Sequence, residues 1–293
     1  MNLPSPLLET LAGQQKLEIR RVRPVSGGSI NQAAKLHTNK GELFVKWNES
    51  ADPDMFGKES RGLRLLRNAE TDLTIPKVLV YNDQKGDPPG FLLMEFLTPA
   101  ERNDLDDNQS SARFGEQLAL LHQHTDKKFG LDHDNYIGRL PQSNQPHSSW
   151  VEFFIHERIG PQIKRATDRQ VLDSTLLTHW ENLAAHLKDI FPDSDPALLH
   201  GDLWSGNYFF DSNGKAVLVD PAVYYGHPEM ELSFTRMFGG FPGSFYDSYN
   251  SVNPFEPGFA ERVPIYNLYP LLVHANLFGG HYATEVQSIL KRY

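Results

Sequence analysis

The chain has 293 residues, of which 39% are hydrophobic and 22% charged, with a formal net charge of −9 and no cysteine. This is the composition of a globular protein long enough for about two domains. It excludes disulfides, thiol nucleophiles and zinc–thiolate sites, and its acidity argues against a nucleic acid as partner. The N-terminus lacks the pattern of a signal peptide, and no run of roughly 18 apolar residues predicts a membrane span, so we expect a cytoplasmic protein with no membrane partner.

The first third of the chain has the pattern of a β-rich region with one helix. Apolar residues alternate between turn clusters, which predicts strands, while Phe56, Leu63 and Leu66 recur at helical spacing. The predicted strands are 17–25, 30–38, 42–48, 75–80 and 90–97, and the predicted helix is 56–70.

After Thr98-Pro99 the apolar residues recur at helical spacing instead. The predicted helices are 110–124, 150–166 and 174–190. We therefore predict an α+β fold with a small β-rich N-terminal nucleotide-binding lobe, residues 1–97. A larger, mainly helical catalytic and substrate-binding lobe follows, residues 98–293.

Residues 207–220, NYFFDSNGKAVLVD, have the pattern of a β-hairpin. Two short apolar runs flank the turn Ser212-Asn213-Gly214 and predict paired strands on either side of it. Because a hairpin brings its ends together, we expect Asn207 and Asp220 to lie side by side. An amide oxygen and a carboxylate at one spot suit Mg²⁺, which completes its shell with phosphate and water.

The segment HGDLWSGN, residues 200–207, combines groups that neither a buried strand nor an ordinary exposed loop needs. Asp202 is followed by Asn207 and then by Asp220. In kinases, H-x-D-x-x-x-x-N followed by a metal-binding Asp uses the first carboxylate to accept the proton of the attacking hydroxyl. The Asn and the second carboxylate hold metal against the phosphates of the nucleotide. Taken alone, the segment is equally compatible with a polar loop in front of an ordinary hairpin.

The N-terminal third supplies the other groups that phosphoryl transfer needs. Lys46 lies in the middle of the predicted strand LFVKWN, and Glu59 lies early in the next helix, where it can pair with the ammonium. Gly27 and Gly28 form an upstream turn between strands, where glycine permits close approach of the backbone to phosphates. A strand lysine is usually solvent-facing and a two-glycine turn is usually only a turn. Their occurrence in the order of a kinase nevertheless predicts a phosphoryl-transfer site.

These features resemble the protein-kinase-like small-molecule kinases and, more closely, the fructosamine kinase (ketosamine kinase) family. The closer resemblance covers nearly the whole chain and rests on HGDLWSGN with four further segments. They are VDPAVYYGHPEMELSFTRMFGGFP (219–242), NYIGRLPQ (135–142), WVEFFIHERIGPQ (150–162) and YNLYPLLVHANLFGG (266–280). The loop tryptophan and the DPAVYYG run are more specific than the features that kinases share in general.

The resemblance implies a bilobal, protein-kinase-like fold and an ATP-dependent kinase. Its substrate would be the 3-hydroxyl of a ketosamine such as ribulosamine or fructosamine, either free or on a lysine of a glycated protein. For the C-terminal lobe it implies that Asp202 is the general base and that Asn207 and Asp220 bind Mg²⁺. Trp204 would line the sugar site, and Glu231 would brace the catalytic loop by accepting backbone N–H groups.

For the N-terminal lobe the resemblance implies that Lys46 contacts the α- and β-phosphates of ATP and pairs with Glu59. The hinge that faces adenine would consist of the segment from Met94 through Glu95 to Leu97.

Two departures from the family affect these expectations. The loop SGGSIN, residues 26–31, lacks the G-x-G-x-x-G of protein kinases, so its phosphate contacts are the least defined. Ser29 stands where some members carry cysteine, which excludes a thiol switch at that position. In addition, the short connection from Asp220 to Glu229 leaves no room for a peptide-binding activation segment, which favours a small or exposed substrate.

Two other functions stay open at this point. The first is a kinase for another small hydroxyl compound, of the aminoglycoside, choline or homoserine type, which usually lacks the loop tryptophan and the YYG run. The second is a non-enzymatic nucleotide-binding module, which should have lost the base, a metal ligand or the lysine, whereas the sequence keeps all three. The oligomeric state is not defined by the sequence, although a monomer is favoured.

Overall fold

The chain folds into two units of different secondary structure. The computed structural model describes residues 3–25, 30–101 and 107–293. One unit, here called the β-rich unit, comprises the chain up to Ser110 together with Gly206–Pro221. The other, the helical unit, comprises Ser111–Ser205 and Ala222–Tyr293.

A five-stranded antiparallel sheet with the order β1-β2-β3-β5-β4 forms the β-rich unit. Its strands are β1 (Ile19–Pro24), β2 (Gln32–Thr38), β3 (Gly41–Asn48), β4 (Val78–Asn82) and β5 (Gly90–Glu95). Two helices belong to the same unit, α1 (Ser5–Gln14) and α2 (Met55–Arg67).

The central strand β3 determines which groups face each side of this sheet. Successive side chains of a strand point to opposite faces. Val45 and Trp47 lie on one face and pack in a core that includes Leu7 and Leu11 of α1. Lys46 therefore points to the other face, and it is buried there.

A hairpin of β9 (Tyr208–Phe210) and β10 (Ala216–Leu218) is attached to the β-rich unit by backbone hydrogen bonds. The Thr74 N–H donates to the carbonyl oxygen of Ala216 at 2.9 Å, and the Thr74 carbonyl accepts from the Leu218 N–H at 3.0 Å. The hairpin that was predicted for 207–220 is present and clusters with the β-rich unit, not with the helices that surround it in sequence.

The helical unit contains most of the helices and two further pairs of short strands. The helices are α3 (Asp107–Leu121), α4 (Trp150–Phe153), α5 (Gly160–Asp168), α6 (Leu176–Ile190), α7 (Pro228–Phe234), α8 (Gly243–Val252), α9 (Phe259–Tyr266), α10 (Leu268–Phe278) and α11 (His281–Leu290). A π-helical segment, Phe154–Ile159, joins α4 to α5. The strands are β6 (Asn135–Ile137), paired with β7 (Leu140–Gln142), and β8 (Ala197–Leu199), paired with β11 (Tyr224–Gly226).

The predicted strands and helices lie close to the observed ones, with shifts of a few residues at their ends. Helix α1 was not predicted, although Leu7 and Leu11 have helical spacing, because two prolines stand at its start. Proline is compatible with the first turn of a helix, where its missing N–H would be unpaired in any case. The lobe boundary predicted at residue 97 stays a prediction. It is a separate matter from the division into the β-rich and helical units described above. Within the described ranges, no helix has the length and apolar character that crossing a membrane requires.

Candidate active site

The ammonium of Lys46 lies between two carboxylates that are distant from each other in sequence. Its Nζ is 2.6 Å from Oε1 of Glu59 on α2 and 2.7 Å from Oδ1 of Asp220, which follows β10. The Lys46 and Glu59 side chains are almost completely buried, whereas the side chain of Asp220 is 52% exposed. The pairing of Lys46 with Glu59 thus has the geometry that the sequence predicted, and Asp220 is a second partner.

Two negative groups around one positive group determine the electrostatics of this cluster. Burial alone would lower the pKa of Lys46, but the charges of Asp220 and Glu59 outweigh it and raise that pKa. Burial raises the pKa of the Glu59 carboxyl to about 7, and Asp220 adds to the rise while Lys46 opposes it. Lys46 is therefore held in its charged form, and the cluster carries more negative than positive charge.

Asn207 and Asp220 stand at the two ends of the hairpin. The Asn207 carbonyl accepts the Val219 N–H at 3.0 Å, so Asp220 follows directly after the residue that pairs with Asn207. Asn207 is buried, and Asp220 has a left-handed backbone with φ +54°. Aspartate tolerates this conformation better than most residues, but it still stores strain, which is concentrated at functional positions.

The loop after β8 carries Asp202 and is held through its backbone. The Gly201 N–H donates to Oε1 of Glu231 at 2.7 Å, and the His200 N–H donates to Oε2 of the same carboxylate at 3.1 Å. The Asp202 N–H donates to Nδ1 of His200 at 3.3 Å. Glu231 therefore has the contacts expected of a brace for this loop, and Asp202 is partly exposed beside them.

Glycine is required at position 201 for two separate reasons. Its φ is +84°, in the region that favours glycine. A Cβ built there would lie 2.0 Å from the carbonyl oxygen of Ala222, and this part of the backbone is further tied by a 2.9 Å bond from the Ala222 N–H to the His200 carbonyl. The loop thus packs directly on the chain that follows Pro221.

Glu231 is the end of a buried chain of hydrogen bonds. Asn253 Nδ2 donates to the Tyr249 hydroxyl at 3.0 Å, and that hydroxyl lies 2.7 Å from Nδ1 of His122, whose Nε2 is 3.0 Å from Oε2 of Glu231. Because the Tyr249 oxygen accepts from Asn253, the Tyr249 hydroxyl is assigned as the donor to Nδ1 of His122. The proton of the His122 ring then lies on Nε2, which donates to Glu231. Burial would raise the pKa of Glu231, but His122, His200 and the Gly201 N–H lower it below the usual range.

Helix α7, which carries Glu231, is fixed at its start and along its side. Nδ1 of His227 caps the helix by accepting the Glu229 N–H at 3.1 Å. Arg262 binds the Glu229 carboxylate through Nε and Nη2, at 2.7 and 2.5 Å. Burial, together with the positive charge of Arg262, lowers the pKa of His227 to about 3, so this cap is neutral at physiological pH.

Trp204 is half-buried and contacts an aromatic ring that sequence reasoning did not single out. The rings of Trp204 and Phe238 meet edge to face, with their centroids 5.7 Å apart. Trp204 therefore packs against the segment after α7, and its contact with a sugar stays a prediction.

The segment predicted to be the hinge begins at the end of β5 and continues beyond it. Met94 is buried in the sheet, whereas Glu95 and Leu97 are partly exposed. Oε1 of Glu95 accepts the Lys77 N–H at 2.7 Å, so this side chain is bound within the β-rich unit. Gly27 and Gly28 lie outside the described residues, so their predicted phosphate contacts stay predictions.

Several buried polar residues of the helical unit were missed by sequence reasoning, and Arg158 is the clearest case. It is completely buried in the π-helical segment, where its guanidinium lies 3.8 Å from the centroid of the Tyr224 ring. It donates to the Ser143 carbonyl at 2.6 Å and to Oδ1 of Asn144 at 2.7 Å. A π-helical insertion has no simple sequence signal, and a lone arginine in an apolar helix would ordinarily be assigned to the surface.

The same buried network explains what two of the quoted segments do. Nε2 of Gln142 donates to the Ala222 carbonyl at 3.1 Å, and Nδ2 of Asn135 donates to the Val223 carbonyl at 2.8 Å. The Tyr269 hydroxyl donates to Oε1 of Gln142 at 2.5 Å. NYIGRLPQ therefore holds the backbone of DPAVYYG, on which the loop that carries Asp202 packs.

The fold is that of the protein-kinase-like phosphotransferases, and the predicted α+β class is confirmed. A solved structure of an aminoglycoside phosphotransferase matches with a TM-score of 0.65, covering 98% of each chain, at 16% identity. A crystal structure from Thermobifida fusca, provisionally named a fructosamine-3-kinase, matches with a TM-score of 0.84 at 32% identity, covering 94% of each chain.

The chain belongs to the fructosamine kinase family, whose model matches residues 4–293. A relative from Lactiplantibacillus plantarum, provisionally named a ketoamine kinase, is 38% identical over 94% of this chain and 95% of its own. The chloroplastic protein-ribulosamine 3-kinase of Arabidopsis thaliana is 37% identical over 98% of this chain and 87% of its own. The predicted family and enzyme class are therefore confirmed, and neither a kinase for other small hydroxyl compounds nor a non-enzymatic module is favoured.

Proposed function

We propose that the protein transfers the γ-phosphoryl group of ATP to the 3-hydroxyl of a ketosamine. Ribulosamine and fructosamine are the proposed sugars, either on small amines or on lysine side chains of glycated protein. Membership of the fructosamine kinase family and the relative named as a ribulosamine 3-kinase support this proposal. A cytoplasmic location and a monomeric state stay predictions.

The observation that carries the proposal is the position of Lys46 between Glu59 and Asp220. A buried lysine costs free energy unless it is paired, and here two carboxylates from separate parts of the chain hold it in place. Such a fixed cation is what the α- and β-phosphates of a nucleotide require, because catalysis of phosphoryl transfer consists mainly of positioning and charge stabilisation.

The residues at the ends of the hairpin fit Mg²⁺ by their chemistry. Asn207 and Asp220 are hard oxygen donors, and Asp220 stays half-exposed while it pairs with Lys46. Within residues 3–25, 30–101 and 107–293, no group of three or more His, Asp or Glu is arranged to hold a metal. Two protein ligands suffice for Mg²⁺ when phosphates and water supply the others. Bound there, the metal would neutralise charge on the phosphates, and it would also offset the excess negative charge around Lys46.

Asp202 is proposed to accept the proton of the attacking hydroxyl. Its loop is fixed by two backbone hydrogen bonds to Glu231, so the carboxylate has a defined position without being buried. A general base needs this kind of positioning, since proton transfer requires approach to within hydrogen-bonding distance. Trp204, two residues further on, offers the apolar face of an indole to a sugar ring.

A substrate panel tests the proposal directly. The purified protein is incubated with ATP, Mg²⁺ and ribulosamine, fructosamine, choline, homoserine or an aminoglycoside, and ATP consumption is measured for each. We expect consumption with the ketosamines only, and ³¹P and ¹³C NMR spectra of the product should place the phosphate on the 3-oxygen. Phosphorylation of choline, homoserine or an aminoglycoside in preference to both ketosamines would contradict the proposal.

A further inference from the structure

Helix α2, which carries Glu59, is not capped by the residue at its own N-terminus. The N–H groups in the first turn of a helix have no partners within the helix, and the side chain at the N-cap position commonly accepts them. In the described part of the chain, Asp54 stands at that position and accepts none of them through its side chain. Its carboxylate lies 3.1 Å from Nζ of Lys58 instead. The cap of α2 must therefore come from elsewhere.

Asp83, in the loop between β4 and β5, supplies this cap. The Gly57 N–H donates to Oδ1 of Asp83 at 3.0 Å and to Oδ2 at 3.1 Å. Burial raises the pKa of the Asp83 carboxyl, and the N–H groups of Gly57 and Phe56 oppose this rise. Phe56 and Gly57 are the second and third residues of α2, whose N–H groups an N-cap side chain ordinarily accepts. The carboxylate also lies where the helix dipole favours an anion.

The contact depends on a glycine that lets the carboxylate approach the helix. A Cβ at Gly57 would overlap Oδ2 of Asp83 and would lie 3.0 Å from Cε2 of Tyr81. The loop that carries Asp83 is closed by Asn82, whose Nδ2 donates to the Pro89 carbonyl at 3.3 Å. The start of α2 thus rests on a braced loop.

The other end of α2 is bound to the same unit. Nη1 of Arg67, the last residue of α2, donates to the Ile75 carbonyl at 2.9 Å and lies 3.6 Å from Oε1 of Glu95. Glu59 is two residues beyond Gly57, so it lies near the end of the helix that Asp83 holds.

From this arrangement we propose that Asp83 is a positioning residue of the phosphoryl-transfer site. By capping α2 it sets the position of Glu59, which in turn holds Lys46. The inference rests on the proposed function, in which Lys46 contacts the phosphates of ATP. In protein kinases the equivalent lysine–glutamate pair must be in place for catalysis, and the position of its helix controls activity. Here a contact within the β-rich unit fixes the helix, so the pair is assembled before the nucleotide binds.

The test disrupts the contact from each side and measures ATP binding. Asp83→Ala removes the cap, and Gly57→Ala displaces it by overlap. We expect each to weaken the affinity for ATP with Mg²⁺, measured by calorimetry, by about five- to thirtyfold, which corresponds to the loss of a helix cap. The KM for ribulose on methylamine should stay close to that of the wild type. Alanine favours a helix more than glycine does, so helix propensity would not explain a loss in Gly57→Ala.

A conservative variant and a matched control accompany these two substitutions. Asp83→Asn keeps one oxygen acceptor and should recover part of the affinity for ATP. Asp87→Ala removes an exposed aspartate from the same loop and should leave both the affinity and Tm at their wild-type values. Unchanged ATP affinity in Asp83→Ala and Gly57→Ala would overturn the inference.

A second background separates positioning from stability alone. If Asp83 acts through Glu59, Asp83→Ala should change the affinity for ATP much less in a Glu59→Gln protein than in the wild type, while it lowers Tm equally in both. If the two substitutions instead weaken ATP binding by independent factors that multiply, Asp83 supports only the fold and the inference is wrong. A wild type that binds ATP but phosphorylates no ketosamine contradicts the proposed acceptor, and the calorimetric result for Asp83 still decides the inference.

Discussion

Two buried glutamates, one in each unit, have opposite electrostatic environments. Glu59 in the β-rich unit shares Lys46 with Asp220, and burial raises its pKa to about 7. Glu231 in the helical unit accepts two backbone N–H groups and pairs with His122, which together lower its pKa despite burial. The same type of side chain is thus part of a cluster with excess negative charge at Glu59, and of a fully hydrogen-bonded brace at Glu231.

The difference indicates that the surroundings of Glu231 and of Lys46 have different roles. Backbone N–H groups and a histidine of fixed tautomer favour the anionic form of Glu231 without needing anything from outside, so the loop can keep one position. The cluster at Lys46 has an excess of negative charge, so it gains most from a divalent cation and a nucleotide. We therefore expect substitutions around Glu231 to affect turnover and stability. Substitutions around Lys46 should affect nucleotide binding.

Asp202→Asn should produce the largest effect. Removing a positioned general base should lower kcat by about 10²–10⁴ while the affinity for ATP, measured by calorimetry, stays close to that of the wild type. Asp195→Asn, an exposed aspartate just before β8, is the matched control and should keep turnover within a few-fold. A similarly small effect of Asp202→Asn would place the base elsewhere.

Asp220→Ala should act on the nucleotide side. It removes a proposed metal ligand and one of the two partners of Lys46, so we expect about 10²-fold lower kcat and a weaker, less Mg²⁺-dependent affinity for ATP. Calorimetry with and without Mg²⁺ measures this directly. Asp72→Ala removes a carboxylate that pairs with Lys215 of the same hairpin, and as a surface pair it should have little effect. Unchanged Mg²⁺ dependence in Asp220→Ala would rule out the metal assignment.

Glu231→Gln tests whether the brace depends on the charge of the carboxylate. An amide presents one NH₂ where every neighbour is a donor, so one buried donor loses its acceptor. We expect a loss of about 3 kcal/mol in the free energy of unfolding, a lower kcat and little change in the KM for ATP. Denaturant unfolding measures the stability, and Glu181→Gln on the exposed side of α6 is the control. A stability loss no larger than that of the control would mean that the brace does not need the charge.

His227→Asn should change the pH dependence of stability. The pKa of His227 is about 3 in the folded protein against an ordinary value of 6.5, so below pH 6.5 the unfolded chain takes up a proton that the folded one does not. Stability is therefore lost as pH falls, by about 2 kcal/mol between pH 7 and 5 from this group alone. Asparagine keeps the helix cap without titrating, so the variant should lose less over that range. Equal losses in both proteins would contradict the assignment.

Local patterns in the sequence predicted most of the fold and the parts of the site that lie on short motifs. The hairpin between Asn207 and Asp220 could be predicted because a turn and two apolar runs define it within fourteen residues. Lys46 and Glu59 could be paired because a charged residue in a buried strand needs a partner and the next helix offered one.

Other parts depend on contacts between distant segments, which a single sequence does not record. His122 and Tyr249 are 109 and 18 residues away from Glu231 in sequence, and neither belongs to a recognisable motif. The positive φ of Phe238 could not be predicted either, because phenylalanine does not indicate this backbone conformation. Only the packed structure reveals that these residues support the loop and its surroundings.

The glycine at position 201 also limits how this enzyme can be redesigned. Any side chain there collides with the Ala222 carbonyl, which is held from its other side by Gln142. Because the Ala222 backbone is tied to Gln142 and to His200, it has little freedom to move away, and any single substitution of this glycine is strained. Directed evolution of substrate range in this loop is consequently confined to its exposed positions, such as Ser205, while the backbone that carries Asp202, the proposed base, is unchanged.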